Sequence, residues 1–257
     1  MVDILVCVKR VPDTAGSVKL TADEQSVDAS QLGHTVSSHE ECAIELAVQT
    51  AQATGGSATV LTLGSADAVE QLRDALALGC SDAIHIECDS VTYGPADVAA
   101  AIADTIAARE TEGTSYDLVL LGNDAADTGD FQVGVRLAYA LERPVLTGIS
   151  TFEATDGSVI ARGAGPSGTE VFELSGPAVV AVQEGGVEPR YPSIPGRMKA
   201  KRAPITTVTP EREPIGNGRV RLKLPPEQPS AVEILGEGPE AAPALVDVLT
   251  EIGVVSR

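Results

Sequence analysis

Short apolar runs alternate with amphipathic stretches through the first 150 residues, and this alternation restricts the chain more than any other feature. The runs 4–8, 58–63, 83–86, 118–121 and 145–149 are strand-length and bounded by turn residues, so they read as strands buried on both faces. Helical patterns lie between them. Ser38 and Glu41 have capping-box spacing before a helix whose Ala43, Ile44, Ala47, Val48 and Ala51 share a face. Val69, Leu72 and Leu76 line a second helix that Gly79 ends, and Val98, Ile102 and Ile106 recur every four residues on a third. Strands alternating with helices imply parallel pairing and right-handed crossovers, which predicts an α/β fold with a doubly wound, mostly parallel sheet. Ligands of such sheets bind beyond the carboxyl ends of the strands.

After Ser150 the pattern changes. Residues 158–162 and 170–174 flank a Gly-rich turn and read as a hairpin, and 178–182 is another buried strand. From Ala203 prolines recur at 204, 210, 214, 225, 226, 229, 239 and 243, so 203–257 is expected to be an extended arm rather than a core of its own. A short helical pattern returns at 244–252. The expected division is an α/β domain over 1–202 and a C-terminal arm over 203–257 that packs on a partner.

Charge narrows the class of partner. Acidic residues outnumber basic ones 37 to 18, a net charge of −19, which repels nucleic acid and anionic membranes. Five of the basic residues are lysine, a balance suited to concentrated salt or to an ordinary acidic surface. The apolar run 4–8 is too short for the core of a secretory signal, and no run approaches the roughly eighteen residues of a membrane span. A soluble cytoplasmic protein without membrane insertion is expected, with Cys7, Cys42, Cys80 and Cys88 as free thiols.

Within that negative field the segment 188–202 stands out. Three prolines and a glycine argue against regular structure across its first half. Ile194 stands alone between Ser193 and Pro195, and Arg197, Lys199, Lys201 and Arg202 follow closely. A lone branched aliphatic residue on a stiffened loop beside a positive rim reads as an anchor for a partner's pocket.

Other chemistry is poorly supported. Gly163-Ala164-Gly165-Pro166-Ser167-Gly168 is formally GxGxxG, but a strand-like alternation follows it where the dinucleotide fingerprint needs a helix, so a hairpin turn is the better reading. The pairs His39/Cys42 and His85/Cys88 could count four zinc ligands, but the second pair begins on a strand, where odd spacing sends side chains to opposite faces. No metal site is expected. GxSxG, Walker A and HExxH are absent and there are three histidines, which points away from a hydrolase and towards borrowed cofactor chemistry. The remaining candidate is 122–134, which follows a strand and runs into a helix. Gly129 and Gly134 allow close backbone approach, and free amides at the helix start can hold a phosphate. The same stretch also reads as an ordinary loop rich in turn residues.

The run Glu188-Pro189-Arg190-Tyr191 leading through Ile194 to Met198-Lys199-Ala200-Lys201 closely resembles the E-P-R-Y…M-K-A-K signature of electron transfer flavoprotein beta subunits. Val8-Lys9-Arg10-Val11-Pro12-Asp13-Thr14 resembles that family's V-K-x-V-P-D-T loop, Arg73-Asp74-Ala75-Leu76-Ala77-Leu78-Gly79 its R-x-A-L-A-M-G helix, and 122–134 its G-x-Q-A-x-D…Q-x-G loop. The resemblance implies a Rossmann-like fold of the adenine nucleotide alpha hydrolase type. It also implies a heterodimer whose alpha subunit carries most of the FAD site, while the beta subunit binds AMP, or a second FAD in the NADH-linked bifurcating branch. Acyl-CoA dehydrogenases would reduce the complex and a quinone oxidoreductase would reoxidise it, with no catalytic residue on this subunit. Carried over, the nucleotide contacts fall on Cys7, Ser37, Ser38, His39, Glu40 and Leu63. On the 122–134 loop they fall on Gly122, Asn123, Asp124, Ala125, Asp127, Asp130, Phe131, Gln132, Val133 and Gly134. Docking falls on a recognition loop over 182–204, with Tyr191, Ile194, Pro195, Met198, Lys199 and Arg202. Ser37-Ser38 stands where the family has Asn-Pro, Asp124 replaces a glutamine, Thr14 a tyrosine, and Ala164 an acidic residue. An ATP-binding stress or signalling protein on a related fold is the reading from a different class.

Overall fold

The computed structural model describes residues 1–13, 18–155, 157–218, 220–226 and 232–255, so Thr14 lies outside the described residues. The chain forms two units, Met1–Leu222 and Lys223–Arg257. In the first, β1 (Ile4–Val8) is followed by the two-residue strands β2 (Val11–Pro12) and β3 (His34–Thr35), then α1 (Ser38–Thr54) and β4 (Ala58–Gly64). Next come α2 (Val69–Leu78), β5 (Asp82–Glu87), α3 (Pro95–Thr111), β6 (Leu118–Gly122) and α4 (Val133–Ala140). The strands β7 (Val145–Thr155), β8 (Ser158–Gly165), β9 (Gly168–Ser175) and β10 (Ala178–Val182) precede α5 (Ile194–Arg202) and β11 (Thr206–Val208).

Among the described residues nine strands make one sheet in the order β11-β5-β4-β1-β6-β10-β7-β8-β9. Pairing is parallel from β11 to β7 and antiparallel across β7, β8 and β9. The period of two along β1 divides the core. Ile4, Val6 and Val8 pack with α1 and α2, whereas Leu5 and Cys7 pack with α3 and α4 on the opposite face. Both faces are therefore covered, which is why β1, β6 and β10 are apolar without alternation. The expected doubly wound α/β sheet is present. The formal GxGxxG spans the end of β8 and the hairpin turn, where Gly165 pairs with Gly168.

Three local readings need correction. The capping box uses Ser37 and Glu40, one residue before the expected Ser38 and Glu41. Both pairs have the right spacing, but Glu40 lies where the Lys9 amide offers its carboxylate a further donor at 2.7 Å. The segment expected as a loop becomes helix from Ile194, because Pro195 falls in the first turn, where a missing N–H has no partner to lose and the ring fixes a helical φ. The start of the expected arm stays on its own chain: β11 extends the sheet beside β5, Arg212 pairs with Asp104, and the amides of Ile215 and Gly216 donate to Asp97. The α/β unit accordingly runs past 202 to Leu222.

In the second unit α6 (Ala242–Glu251) has no buried residue. Leu245, Val246, Val248, Ile252, Val254 and Val255 all remain between 37% and 67% exposed. No helix among the described residues is long and apolar enough to cross a membrane.

Candidate functional site: a cleft at the strand-order switch

The chain leaves β1 towards β4 and β5 and then returns to place β6 on the other side of β1, so a crevice opens beyond the carboxyl ends of β1 and β6. The amino terminus of α1 and the loop from Gly122 to α4 border it. Glu40 is the central side chain. It is 7% exposed, its Oε1 accepts the Lys9 amide at 2.7 Å, and its Oε2 accepts the Ser37 amide at 2.9 Å and the Ser37 hydroxyl at 3.1 Å. Burial pushes its carboxyl up to about 7, against the hydrogen bonds from Ser37 and Lys9 and the Lys9 charge. Cys7 lies in the core beside it, its thiol pushed up to about 12 first by burial and then by Glu40, so the thiol is inert at neutral pH.

His39 joins both walls. Its Nε2 lies 2.8 Å from Asp124 Oδ1, and its Nδ1 accepts the Glu184 amide at 3.0 Å, which leaves Nε2 as the ring donor to Asp124. Ser38 Oγ donates to the Glu184 carboxylate. Asn123 is a brace: its amide nitrogen donates to Gln183 Oε1 at 3.1 Å and its side-chain oxygen accepts the Gly148 amide at 2.7 Å, tying the end of β6 to the residue after β10 and to the first half of β7. Asp127 holds Lys9 at 2.7 Å. The loop closes on itself through Gly129, whose amide donates to Ala125 O at 2.7 Å with φ at +61°.

At the start of α4 no side chain caps the first turn. Asp130 Oδ1 accepts the Gln132 amide at 3.0 Å, and Arg136 reaches Gln132 Oε1 at 2.7 Å. Gly134 does bring backbone close, but to Leu121: a Cβ there would lie 2.8 Å from Leu121 Cδ1. Its glycine therefore seats α4 on β6. Val133 begins the helix, Phe131 is 59% exposed, and Leu63 is half-buried at the end of β4. The structure thus gathers Cys7, Ser37–Glu40 and the 122–134 loop around one crevice. Lys9, Gln183, Glu184 and Arg136 belong to it too. The first three directly follow strand ends, a signal that the carboxyl-end rule supplies.

Along α1, His39, Cys42 and Glu45 meet Glu184, Val187 and Arg190 in turn, so the segment leading to α5 is fastened to the helix that borders the crevice. Tyr191, Ile194 and Met198 are 94%, 78% and 62% exposed, and Pro195, Lys199 and Arg202 are exposed beside them.

A family model for the electron transfer flavoprotein domain matches residues 26–213. The chain is 31% identical over 245 residues to the electron transfer flavoprotein subunit beta of Syntrophomonas wolfei, covering 95% of this chain and 94% of the relative. The chain belongs to the electron transfer flavoprotein beta-subunit family. It is also 30% identical over 254 residues to the Bacillus subtilis subunit beta (96% and 97% of the two chains), and 33% identical over 214 residues to that of Mycobacterium tuberculosis (81% and 79%). Electron transport in a flavoprotein is the role common to the family.

Glu40 makes stability in this family member depend on pH. Its folded value lies above its unfolded one, so its contribution is fully present below about 4.5 and is lost as pH rises through about 7. The stability of the parent relative to Glu40→Gln is expected to fall between pH 5 and pH 8. Thermal unfolding across that range checks it, and a constant difference would contradict it.

Proposed function

We propose that the chain is the beta subunit of a cytoplasmic heterodimer in which it binds AMP in the switch-point crevice and docks acyl-CoA dehydrogenases through α5. Electrons pass through FAD, held mainly by the alpha subunit, to a quinone oxidoreductase. The observation that carries this reading is the crevice itself, in which the capped start of α1 meets the uncapped start of α4 across the ends of β1 and β6. The donor set suits an adenine nucleotide. First-turn amides of α4 with Arg136 beside them suit a phosphate, while Asp124, Asp127 and Glu184 offer acceptors for hydroxyl and amino groups. Asp130 accepts the Gln132 amide, so its carboxylate stands beside the start of α4 and a phosphate would bind at the amides that follow.

FAD supplies the redox chemistry; this chain makes and breaks no bond. Its residues orient the nucleotide, fasten the 183–190 segment to α1 and present α5. Nucleotide extraction from the heterodimer, followed by mass spectrometry, tests the reading. One FAD with one AMP is expected. Two FAD molecules would place the chain in the bifurcating, NADH-linked branch, and a homodimer carrying ATP without flavin would overturn both.

The unburied aliphatic row of Lys223–Arg257 is assigned to the alpha subunit. Removing 223–257, and not the sheet-forming 203–222, is expected to weaken heterodimer formation and flavin retention, read by size-exclusion chromatography with flavin absorbance. A truncated chain that forms a flavin-loaded heterodimer of normal stability would refute that assignment.

A further inference from the structure

We propose that Arg73 is a positioning residue for α5, holding its carboxyl end so that Ile194 and Met198 meet a docking partner in a fixed orientation; this rests on α5 being the docking element. The α2 sequence Leu72-Arg73-Asp74-Ala75-Leu76 divides by role. Leu72, Ala75 and Leu76 are buried in the core. Arg73 instead reaches out of α2, and its Nη1 donates to the carbonyls of Ala200 and of Ala203, the latter at 2.6 Å. Ala200 lies in the last turn of α5, where its carbonyl also accepts the Ala203 amide at 3.2 Å. Ala203 is the extended residue that ends the helix, so the guanidinium grips both sides of that end, where the dipole favours a cation.

The helix needs such support. It has nine residues, buries Ala200 alone, carries Gly196 in its first half and gathers Arg197, Lys199, Lys201 and Arg202 in its last six positions. A helix that short is marginal in isolation, and like charges at these spacings repel. Tertiary contacts therefore set its shape. At its start the Ser193 hydroxyl accepts the Gly196 amide at 3.1 Å. In its first turn Gly196 rests on α2, since a Cβ there would lie 2.6 Å from the Ala77 carbonyl. At its end the hold is Arg73. Ile194, Met198 and Arg202, spaced by four, lie along the exposed side, opposite the seating of Gly196 and Ala200. Losing the Arg73 bonds frees the last turn, so Met198, Lys199 and Arg202 must be ordered during docking.

The test uses the flavin-loaded heterodimer and, as probe, an acyl-CoA dehydrogenase reduced by its acyl-CoA substrate. Arg73→Met is expected to raise the half-saturating dehydrogenase concentration roughly three- to tenfold, with little change in rate at saturation. Amides 197–203 should exchange hydrogen faster in that variant, and Arg73→Lys, which keeps a charged donor, should restore most of both. The loss should persist at high salt, unlike a steering effect. In a double-mutant cycle with Ile194→Ala the combined loss should be smaller than the sum, because both act on one face. Unchanged half-saturation and exchange in Arg73→Met, or losses that add in full, would overturn the proposal. If Ile194→Ala alone has no effect, the docking reading fails and the proposal falls with it; faster exchange in Arg73→Met would then show that the fault lies in docking and not in the hold on α5.

Discussion

Replacing Ile194 with alanine is expected to weaken dehydrogenase docking by roughly tenfold to a hundredfold while flavin content, heterodimer stability and reduction by dithionite stay unchanged. Ile194 is 78% exposed at the first turn of α5, with Ser193 capping before it and Pro195 after it. Its backbone is thus fixed before any partner arrives, and little freedom is lost when the side chain enters a pocket. Burying an isoleucine contributes about 1.5–3 kcal/mol, and each 1.4 kcal/mol is about a factor of ten in affinity. Because the side chain buries almost nothing in its own chain, truncation should leave the fold alone. Neutralising Lys199 and Arg202 should act differently, slowing association most at low salt and fading as the screening length shrinks to about 3 Å near 1 M. Steady-state transfer measured against dehydrogenase concentration separates the two. An Ile194→Ala heterodimer with the parent's concentration dependence would remove α5 from the docking site.

How such features could be read in advance depended on the range of the interaction that fixes them. The strands β1, β6 and β10 are legible because burial on both faces leaves an uninterrupted apolar run in the local sequence, and β4 and β5 because their runs are broken only by the buried Thr59, Thr62 and His85. β11 is not legible: Thr206-Thr207-Val208 stands among prolines, and its place comes from pairing with β5, more than a hundred positions away. Pro195 misled because proline breaks a helix interior but favours a first turn, and only Ser193 as the cap decides which applies. The cap of α1 slid by one residue because Ser37-Ser38 and Glu40-Glu41 repeat the same pattern; the Lys9 amide at the end of β1 chooses between them. The 122–134 side of the crevice is legible through topology, since it follows the strand β6, whereas 37–40 at the start of α1 is marked only by the family resemblance. The internal bonding of the crevice is not legible, because Asn123 spends its side chain bracing Gln183 and Gly148, and Gly134 seats α4 against Leu121.

The ion pair between Glu45 and Arg190, 145 positions apart, was equally invisible in the sequence, and breaking it should have the largest effect on stability. Glu45 is 4% exposed on α1. Arg190 grips it with Nε at 2.7 Å, Nη2 at 2.8 Å and its backbone amide at 3.1 Å, and Gln49 adds a fourth donor at 2.6 Å. Burial alone would raise the Glu45 carboxyl; the bonds from Arg190 and Gln49 outweigh it and hold the carboxyl below its ordinary value. In the parent this pair therefore stabilises the fold above the unfolded carboxylate range, and the contribution is lost as pH falls through the lower folded value. Arg190→Met keeps the apolar stem but leaves a buried carboxylate with only Gln49 and one amide. A loss of about 3 kcal/mol is expected at pH 8, the lower end of the range for a broken buried pair because two donors remain. With the guanidinium gone, burial dominates and the Glu45 carboxyl moves up, so the sign of the pH dependence reverses: the variant recovers part of its deficit as pH is lowered towards 5. Adding Glu45→Gln to Arg190→Met should recover part of it at pH 8 as well, since the uncompensated charge is removed. Denaturant unfolding of the three proteins at pH 8 and pH 5 decides the matter. An Arg190→Met midpoint equal to the parent's at pH 8 would show that the pair does not hold the 183–190 segment to α1.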